Sequence, residues 1–230
     1  MRLDKYLADM KKGTRSEVKD AIRKGRVSVN GTPVKDPSVH VSETDTVLFD
    51  GENVSYVSLE YILLNKPAGY LSATDDPRFP TVMDLIDSKR KDLFPIGRLD
   101  IDTEGLLLLS NDGALAHDLL SPKKHVVKTY YVQTDRRIPE EAVAEMEDGM
   151  DLGDFTTLPA KLEILSEKEA RLSIREGKFH QVKRMFEKTG CIVTYLKRIS
   201  FGPLTLGDLE TGQCRPLTKE EIDSLKKAGH

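Results

Sequence analysis

The stretch from Gly97 to Leu109 limits what this chain can become more than any other. Gly97-Arg98-Leu99-Asp100-Ile101-Asp102-Thr103-Glu104-Gly105 reads as a polar turn, and Leu106 to Leu109 follow without interruption. A run of leucines without alternation fits a strand buried on both faces. The turn before it gathers Asp100, Asp102 and Glu104 with Arg98. Carboxylates beside an apolar core lose solvation and repel one another. Such a turn is either a functional site or a solvated acidic hairpin, and its own pattern leaves both open.

The 230 residues allow one large domain, or a medium domain with a small one. A hydrophobic fraction of 38% suffices for a core, and a charged fraction of 32% fits a soluble surface. No apolar run approaches the roughly 20 residues of a membrane span. Met1-Arg2-Leu3-Asp4-Lys5 lacks the apolar segment of a signal peptide. The expectation is therefore a cytoplasmic protein in which Cys191 and Cys214, which lack metal-ligand spacing, are free thiols. The net charge of −3 argues against nucleic-acid binding, but its distribution reverses that inference. Residues 1–26 carry nine Lys and Arg against four acids, a segment of +5 that leaves −8 on the remainder. A basic arm on an acidic protein points to a polyanion docking surface.

Within that arm Leu3, Leu7 and Met10 have helical spacing. Thr14 or Ser16 can cap a second helix running to about Lys24, with Val18, Ala21 and Ile22 on its apolar side. Arg15, Lys19 and Arg23 form a neighbouring stripe, either a solvated face or a docking surface. Asn30-Gly31 between β-rich residues predicts a hairpin, with further strands near Val39–Val41 and Thr46–Phe49. This module resembles the RNA-binding domain named after ribosomal protein S4. The matching residues are Arg2 through Leu7, Ser16 through Arg23 and Gly25 through Gly31. The resemblance implies RNA contacts from Arg2, Lys5, Arg15, Lys19, Arg23 and Arg26, which position the protein on phosphates without reading sequence.

A turn around Asp50-Gly51-Glu52-Asn53 and a linker to about Leu59 separate this module, residues 1–59, from a second domain, residues 60–230. A new core begins at Tyr61 through Pro67, and strands are expected at Leu106–Leu109, Thr129–Thr134, Ala160–Leu165, Ala170–Ile174 and Ile192–Leu196. Helices are expected at Val82–Ser88, Ala114–Leu120, Glu140–Glu147 and His180–Lys188. Without a steady βαβ rhythm the fold class is α+β. A small α/β module precedes a mixed, mainly antiparallel sheet with flanking helices.

The acidic turn resembles the opening of a calcium loop. However, the twelfth position is Asn111 rather than a bidentate Glu, and the leucines favour a strand. Zinc lacks paired Cys and His ligands, and no phosphate-cradling Gly-rich loop is present. Neither a metal nor a cofactor is expected. A second basic cluster spans Arg175 to Met185 and includes Lys178, His180, Lys183 and Arg184. A cation from it brought beside Asp100 would keep that carboxylate ionised. His180 reads as a general base or as a structural hydrogen-bonding residue. Tyr130 and Tyr131 read as core residues, or as one core residue and one stacking face.

Together these segments resemble the pseudouridine synthases, in the RsuA-type branch that acts on small-subunit ribosomal RNA. The resemblance covers nearly the whole chain. It rests on Leu64-Asn65-Lys66-Pro67-x-Gly69-Tyr70 with Thr81-Val82, on Gly97 through Leu106, and on Asn111-Asp112-Gly113. Lys128-Thr129-Tyr130, Glu176 through Met185 and Arg215-Pro216-Leu217-Thr218 complete it. It implies Asp100 as the essential aspartate, Tyr130 as the aromatic that stacks on the target base, and Lys183 as the cation paired with the aspartate. Several branches carry Arg at that last position, and Lys is a point charge without a bidentate fork. Arg98, Lys178 and Arg184 are implied RNA contacts. The implied reaction breaks a carbon–nitrogen glycosidic bond, rotates the base and rejoins it through carbon-5, with no redox change. The target base must leave its stack, which favours loops and bulges. Asp100 can attack the anomeric carbon, add to the pyrimidine or remove a sugar proton.

The expected partner is 16S ribosomal RNA or a small-subunit assembly intermediate, engaged by a monomer and not by a membrane-bound protein. The absence of a long basic tail after Lys227 leans toward the small subunit over 23S ribosomal RNA. A catalytically silent RNA-binding or assembly protein is the rival of another class, since pure binding needs no Asp100–Tyr130–Lys183 set.

Overall fold

The computed structural model describes residues 1–121 and 124–228, which separate into two units. The first comprises Met1–Glu60 and Asp87–Leu93; the second comprises Tyr61–Ile86 and the described residues from Phe94 onward.

The first unit begins with α1 (Leu3–Asp9) and α2 (Arg15–Arg23). Thr14 caps α2: its hydroxyl accepts from the Glu17 amide, and the Glu17 carboxylate accepts from the Thr14 amide at 2.7 Å. This closed capping box supplies partners for amides that the first turn leaves free. Leu3, Leu7, Val18 and Ile22 share one core with Val27 and Val47. The strands β1 (Val27–Val29), β2 (Thr32–Pro33), β3 (Val47–Phe49) and β4 (Glu52–Asn53) form an antiparallel sheet in the order β2-β1-β3-β4. Asn30 and Gly31 take φ of 50° and 79°, as a tight hairpin between β1 and β2 requires.

Three expectations need correction. Val39–Val41 is no strand but a single bridge between His40 and Arg2. Its backbone groups are taken by the chain start: Leu3 N donates to Val39 O, and Val41 N donates to Met1 O, each at 2.8 Å. Glu52-Asn53 is a strand, and the turn sits one step earlier at Asp50-Gly51 with φ of 52° and 84°. The helix over Val82–Ser88 is only a 3-10 turn, Val82–Leu85. Beyond it the chain enters the first unit, where the buried Arg90 donates to Asp92 and to Val57 O.

The second unit is built on nine strands. β5 (Tyr61–Lys66), β6 (Phe94–Ile96) and β7 (Glu104–Ser110) precede α3 (Gly113–Leu120). β8 (Lys128–Thr134), α4 (Glu141–Asp148), β9 (Lys161–Ser166) and β10 (Glu169–Ile174) follow. α5 (Gln181–Lys188), β11 (Val193–Phe201), β12 (Leu204–Thr205), β13 (Cys214–Pro216) and α6 (Lys219–Ala228) complete it. The sheet runs β13-β5-β7-β11-β8-β10-β9, with β6 on β7 and β12 on β11. Every pairing is antiparallel except β7 with β11, so the sheet is mixed and mainly antiparallel. The leucine run is the interior of β7 and is buried on both faces. Leu106 and Leu108 join Leu63, Ile96, Leu119 and Leu225 in the main core. No helix among the described residues is long and apolar enough to cross a membrane.

α6 was not foreseen, although Thr218 and Glu221 carry its capping signature. Thr218 N donates to the Glu221 carboxylate at 2.8 Å, and Glu221 N donates back to the Thr218 hydroxyl at 3.2 Å. β11 runs on to Phe201, past the expected end at Leu196, because Arg198 lies buried within it.

Gly105 joins the acidic loop to the core strand. Its φ is +104°, and a Cβ there would lie 2.2 Å from Arg198 O, inside van der Waals contact. Backbone strain and overpacking each cost on the order of 1–3 kcal/mol. Gly105→Ala should therefore lose about 3 kcal/mol in urea unfolding at unchanged m-value; a loss under about 1 kcal/mol would contradict this close approach.

Candidate active site

The loop between β6 and β7 is pinned from beneath by Lys66, the last residue of β5, whose side chain is fully buried. Its ammonium donates to the carbonyls of Pro67 at 3.0 Å, Asp100 at 3.1 Å, Ile101 at 3.3 Å and Thr103 at 2.8 Å. Burial pulls the Lys66 pKa down to about 8 against the opposing attraction of Asp102, Asp100 and Glu104. The Ser72 hydroxyl clasps Leu99, accepting from its amide and donating to its carbonyl at 3.0 Å each. Gly69 N donates to Ile101 O at 2.7 Å, and Thr103 N donates to Asp100 O at 3.1 Å. With its backbone held in this way, the loop presents the half-exposed Asp100 side chain to the cleft.

The opposite wall is the start of α5. His180 enters it with φ of 49°, in the left-handed region. The buried Gln181 accepts from Lys178 N at 3.0 Å and donates to Glu176 at 2.9 Å, and Glu176 also accepts from Leu158 N at 2.8 Å. Val182, Met185 and Phe186 face the core, which leaves Lys183 toward the loop. Lys183 Nζ donates to both Asp102 oxygens at 2.6 and 2.9 Å and lies 3.3 Å from Asp100 Oδ2. Burial works against charge at both Asp102 and Lys183, but their hydrogen bond and mutual attraction prevail. The Asp102 carboxyl is held below its usual range and the Lys183 ammonium above its own. Asp102 is thus the lysine's nearer partner. Glu104, the third acid, accepts from the Tyr195 hydroxyl at 2.8 Å.

The cleft brings together Asp100, Tyr130, Lys183, Arg98 and Lys178 of the sequence-derived set. Tyr130 is buried on β8, whereas the next residue, Tyr131, is half-buried and donates its hydroxyl to Glu169 at 2.5 Å. His180 Nε2 lies 3.6 Å from Asp100 Oδ1, beyond hydrogen-bond range, and its ring stacks on the exposed Phe179 at 3.7 Å. Arg184 lies outside this cleft, hydrogen-bonded to Asp154 and to Leu152 O. Lys66 and Ser72 were missed as supports of the loop. The signal for Lys66 was a charged residue just after the apolar run Tyr61 to Leu64. Among the described residues no cluster of His, Cys, Asp and Glu is placed to hold a metal ion.

In the first unit several expected RNA contacts carry acidic partners. Arg2 donates to Asp4 at 2.9 and 3.1 Å, and Lys5 pairs with Asp9. Lys19 lies 3.8 Å from Asp4, Arg23 bonds Asp20 at 3.2 Å, and Arg26 bonds Asp50. Arg15 is exposed at the start of α2. The Arg23–Asp20 and Arg26–Asp50 pairs are exposed on both sides and contribute little, so these two cations can exchange partners for phosphate at small cost; Asp4 and Asp9 are buried and hold Arg2, Lys19 and Lys5 more firmly.

The mixed sheet carries a carboxylate–lysine cleft, and the separate α/β module carries the N-terminal cations. Comparison with known proteins gives the class. Residues 60–188 match the model of the RNA pseudouridylate synthase family, and residues 1–47 match the S4 domain. The chain is 47% identical over 236 residues to an uncharacterised RNA pseudouridine synthase of Bacillus subtilis, covering 99% of each protein. It is 42% identical over 232 residues to the ribosomal small subunit pseudouridine synthase A of Haemophilus influenzae, covering 99% of this chain and all of that protein. A solved pseudouridylate synthase structure superposes with a TM-score of 0.70 at 41% identity, covering 98% of this chain and 99% of that one. The chain belongs to the RNA pseudouridylate synthase family.

The buried lysine gives the loop a pH signature. With its folded pKa lowered to about 8, Lys66 binds fewer protons folded than unfolded between about pH 8 and 10. Its contribution to stability therefore rises with pH across that window. Relative to Lys66→Met, the wild type should gain up to about 1.4 kcal/mol per pH unit from pH 8 to 10 in urea titrations. Parallel pH profiles would remove the burial argument.

Proposed function

We propose that this protein isomerises a uridine of small-subunit ribosomal RNA to pseudouridine in the cytoplasm, with Asp100 as the essential carboxylate. The observation that carries this reading is the convergence of Asp100 and Lys183, 3.3 Å apart, at a cleft also lined by the buried ring of Tyr130. The name and full-length similarity of the Haemophilus influenzae relative support the small-subunit assignment.

The reaction breaks the N1–C1′ bond and forms a C5–C1′ bond; C5 loses a proton and N1 gains one, so atoms and electrons balance without an oxidant. Lys183, shared between Asp102 and Asp100, attracts the Asp100 carboxylate and restricts its rotamers. The anionic Asp100 then meets the target nucleotide by attack at C1′, addition to the ring or removal of a sugar proton. The Tyr130 ring stacks on the flipped base and assists removal of the C5 proton. Arg98 and Lys178, which border the same cleft, hold the RNA strand around it. Flipping costs a few kcal/mol and is least costly in a loop or bulge; phosphate contacts from Arg15, Lys19 and Arg23 offset it.

Asp100→Asn should fold and bind RNA normally but lose roughly 10³-fold or more in rate. Purified protein is incubated with small-subunit transcripts, and pseudouridine is mapped by carbodiimide-dependent primer-extension stops. Full activity in the variant would defeat the assignment, and stops confined to large-subunit transcripts would replace the substrate. Charge reversal at Arg15, Lys19 and Arg23 together should weaken RNA binding and lower the slope of log K against log salt by about 2. Unchanged affinity and slope would leave that stripe a solvated face.

A further inference from the structure

Beyond Tyr130 lies a second cleft that the reaction above does not use. It is bordered by Gly97, Ser121, Lys128, Arg175, Arg198 and Phe201, and it shares Arg98, Tyr130, Gly177 and Lys178 with the first. Two of its cations are buried deeply: Lys128 is 8% exposed and Arg198 2%. Neither forms an ion pair with a carboxylate among the described residues. Lys128 Nζ donates to Val126 O at 2.9 Å, and Arg198 Nε donates to Leu106 O at 2.7 Å. Arg198 Nη2 is buried without a hydrogen-bond partner. Both cations sit around one ring, 5.4 Å and 5.3 Å from the Phe201 centroid.

Buried cations are ordinarily paired, because an uncompensated charge in low dielectric costs several kcal/mol. Here two like charges share an apolar ring, and the nearby carboxylate is already engaged: Glu176 accepts from Leu158 N and Gln181. Burial, with the repulsion of Arg198 added, lowers the Lys128 pKa to about 8 against the opposing attraction of Glu176. An anion bonded to Arg198 Nη2 and Lys128 Nζ would satisfy the orphaned donor and relieve that repulsion.

We infer that this cleft is a phosphate site, and that its occupant is a backbone phosphodiester of the RNA strand beside the flipped uridine. The choice of occupant rests on the RNA substrate proposed above. Because Tyr130 borders both clefts, a nucleotide whose base lies on the Asp100 side has its backbone within reach of the second cleft. The site anchors the strand through charge-assisted hydrogen bonds that read no base.

The test uses the wild-type protein labelled with carbon-13 lysine and the trinucleotide ApUpA, in its native form and with both linkages replaced by neutral methylphosphonates. The native trinucleotide should bind about tenfold more tightly, the fold-change of one charge-assisted hydrogen bond. It should also move the Lys128 Cε titration upward from its free value, and the neutral analogue should leave that titration in place. In Lys128→Met the preference for the native trinucleotide should fall below that of the wild type; if that variant fails to fold, the wild-type titration decides alone. An unmoved Lys128 titration with every probe would overturn the site. Inorganic phosphate moving it while native ApUpA does not would assign the cleft to a free anion and overturn the RNA occupant. Pseudouridine formation is scored separately on ribosomal transcripts. A Lys128 shift without isomerisation would keep the site and sink the reaction, and the converse result would do the opposite.

Discussion

The ammonium of Lys66, buried beneath the acidic loop, is the interaction on which the rest of the site depends. A carboxylate acts at a fixed place only if its backbone is fixed first, and a polar loop at the edge of a core has few apolar contacts to hold it. Lys66 supplies that hold by donating to four carbonyls, among them those of Asp100 and Thr103. The cost is burial of a cation, visible in its lowered pKa. The attraction of Asp100, Asp102 and Glu104 offsets part of that cost, so the acids of the loop help to hold the lysine that holds them.

The same arrangement explains why the loop needs its acids in different roles. Glu104 is tied to Tyr195 and serves the sheet. Asp102 takes the shorter bonds of Lys183, which leaves that cation 3.3 Å from Asp100. A lysine used in place of an arginine has no fork with which to grip one carboxylate through two bonds. Here it bridges two carboxylates, and Asp102 fixes its position.

Much of the fold was legible because it follows local rules. The cap of α2, open in the sequence to Thr14 or Ser16 and made by Thr14, the Asn30-Gly31 hairpin and the leucine run of β7 each depend on neighbours within a few residues. Errors arose where distant segments decided the outcome. Val39–Val41 has the composition of a strand, yet its backbone groups are spent on the chain start. Val82–Ser88 has helical spacing, yet the chain departs after one turn because Arg90 is anchored in the first unit. β11 runs through Lys197 and Arg198, whose charges conceal a strand paired along both edges, by β7 and by β8.

For the candidate site, the sequence by itself singled out Asp100, Tyr130 and Lys183 by motif, and named Arg98 and Lys178 as neighbours. That selection rests on the resemblance to the pseudouridine synthases, whose motifs place particular residue types at particular offsets within short segments. Only the tertiary structure decided that Asp102 takes the shorter bonds of Lys183, that Arg184 turns instead to Asp154, and that Lys128 and Arg198 meet at Phe201. Those outcomes depend on distances between residues far apart in the chain. Such distances are set by strand register and by the way α5 packs, which no local pattern specifies.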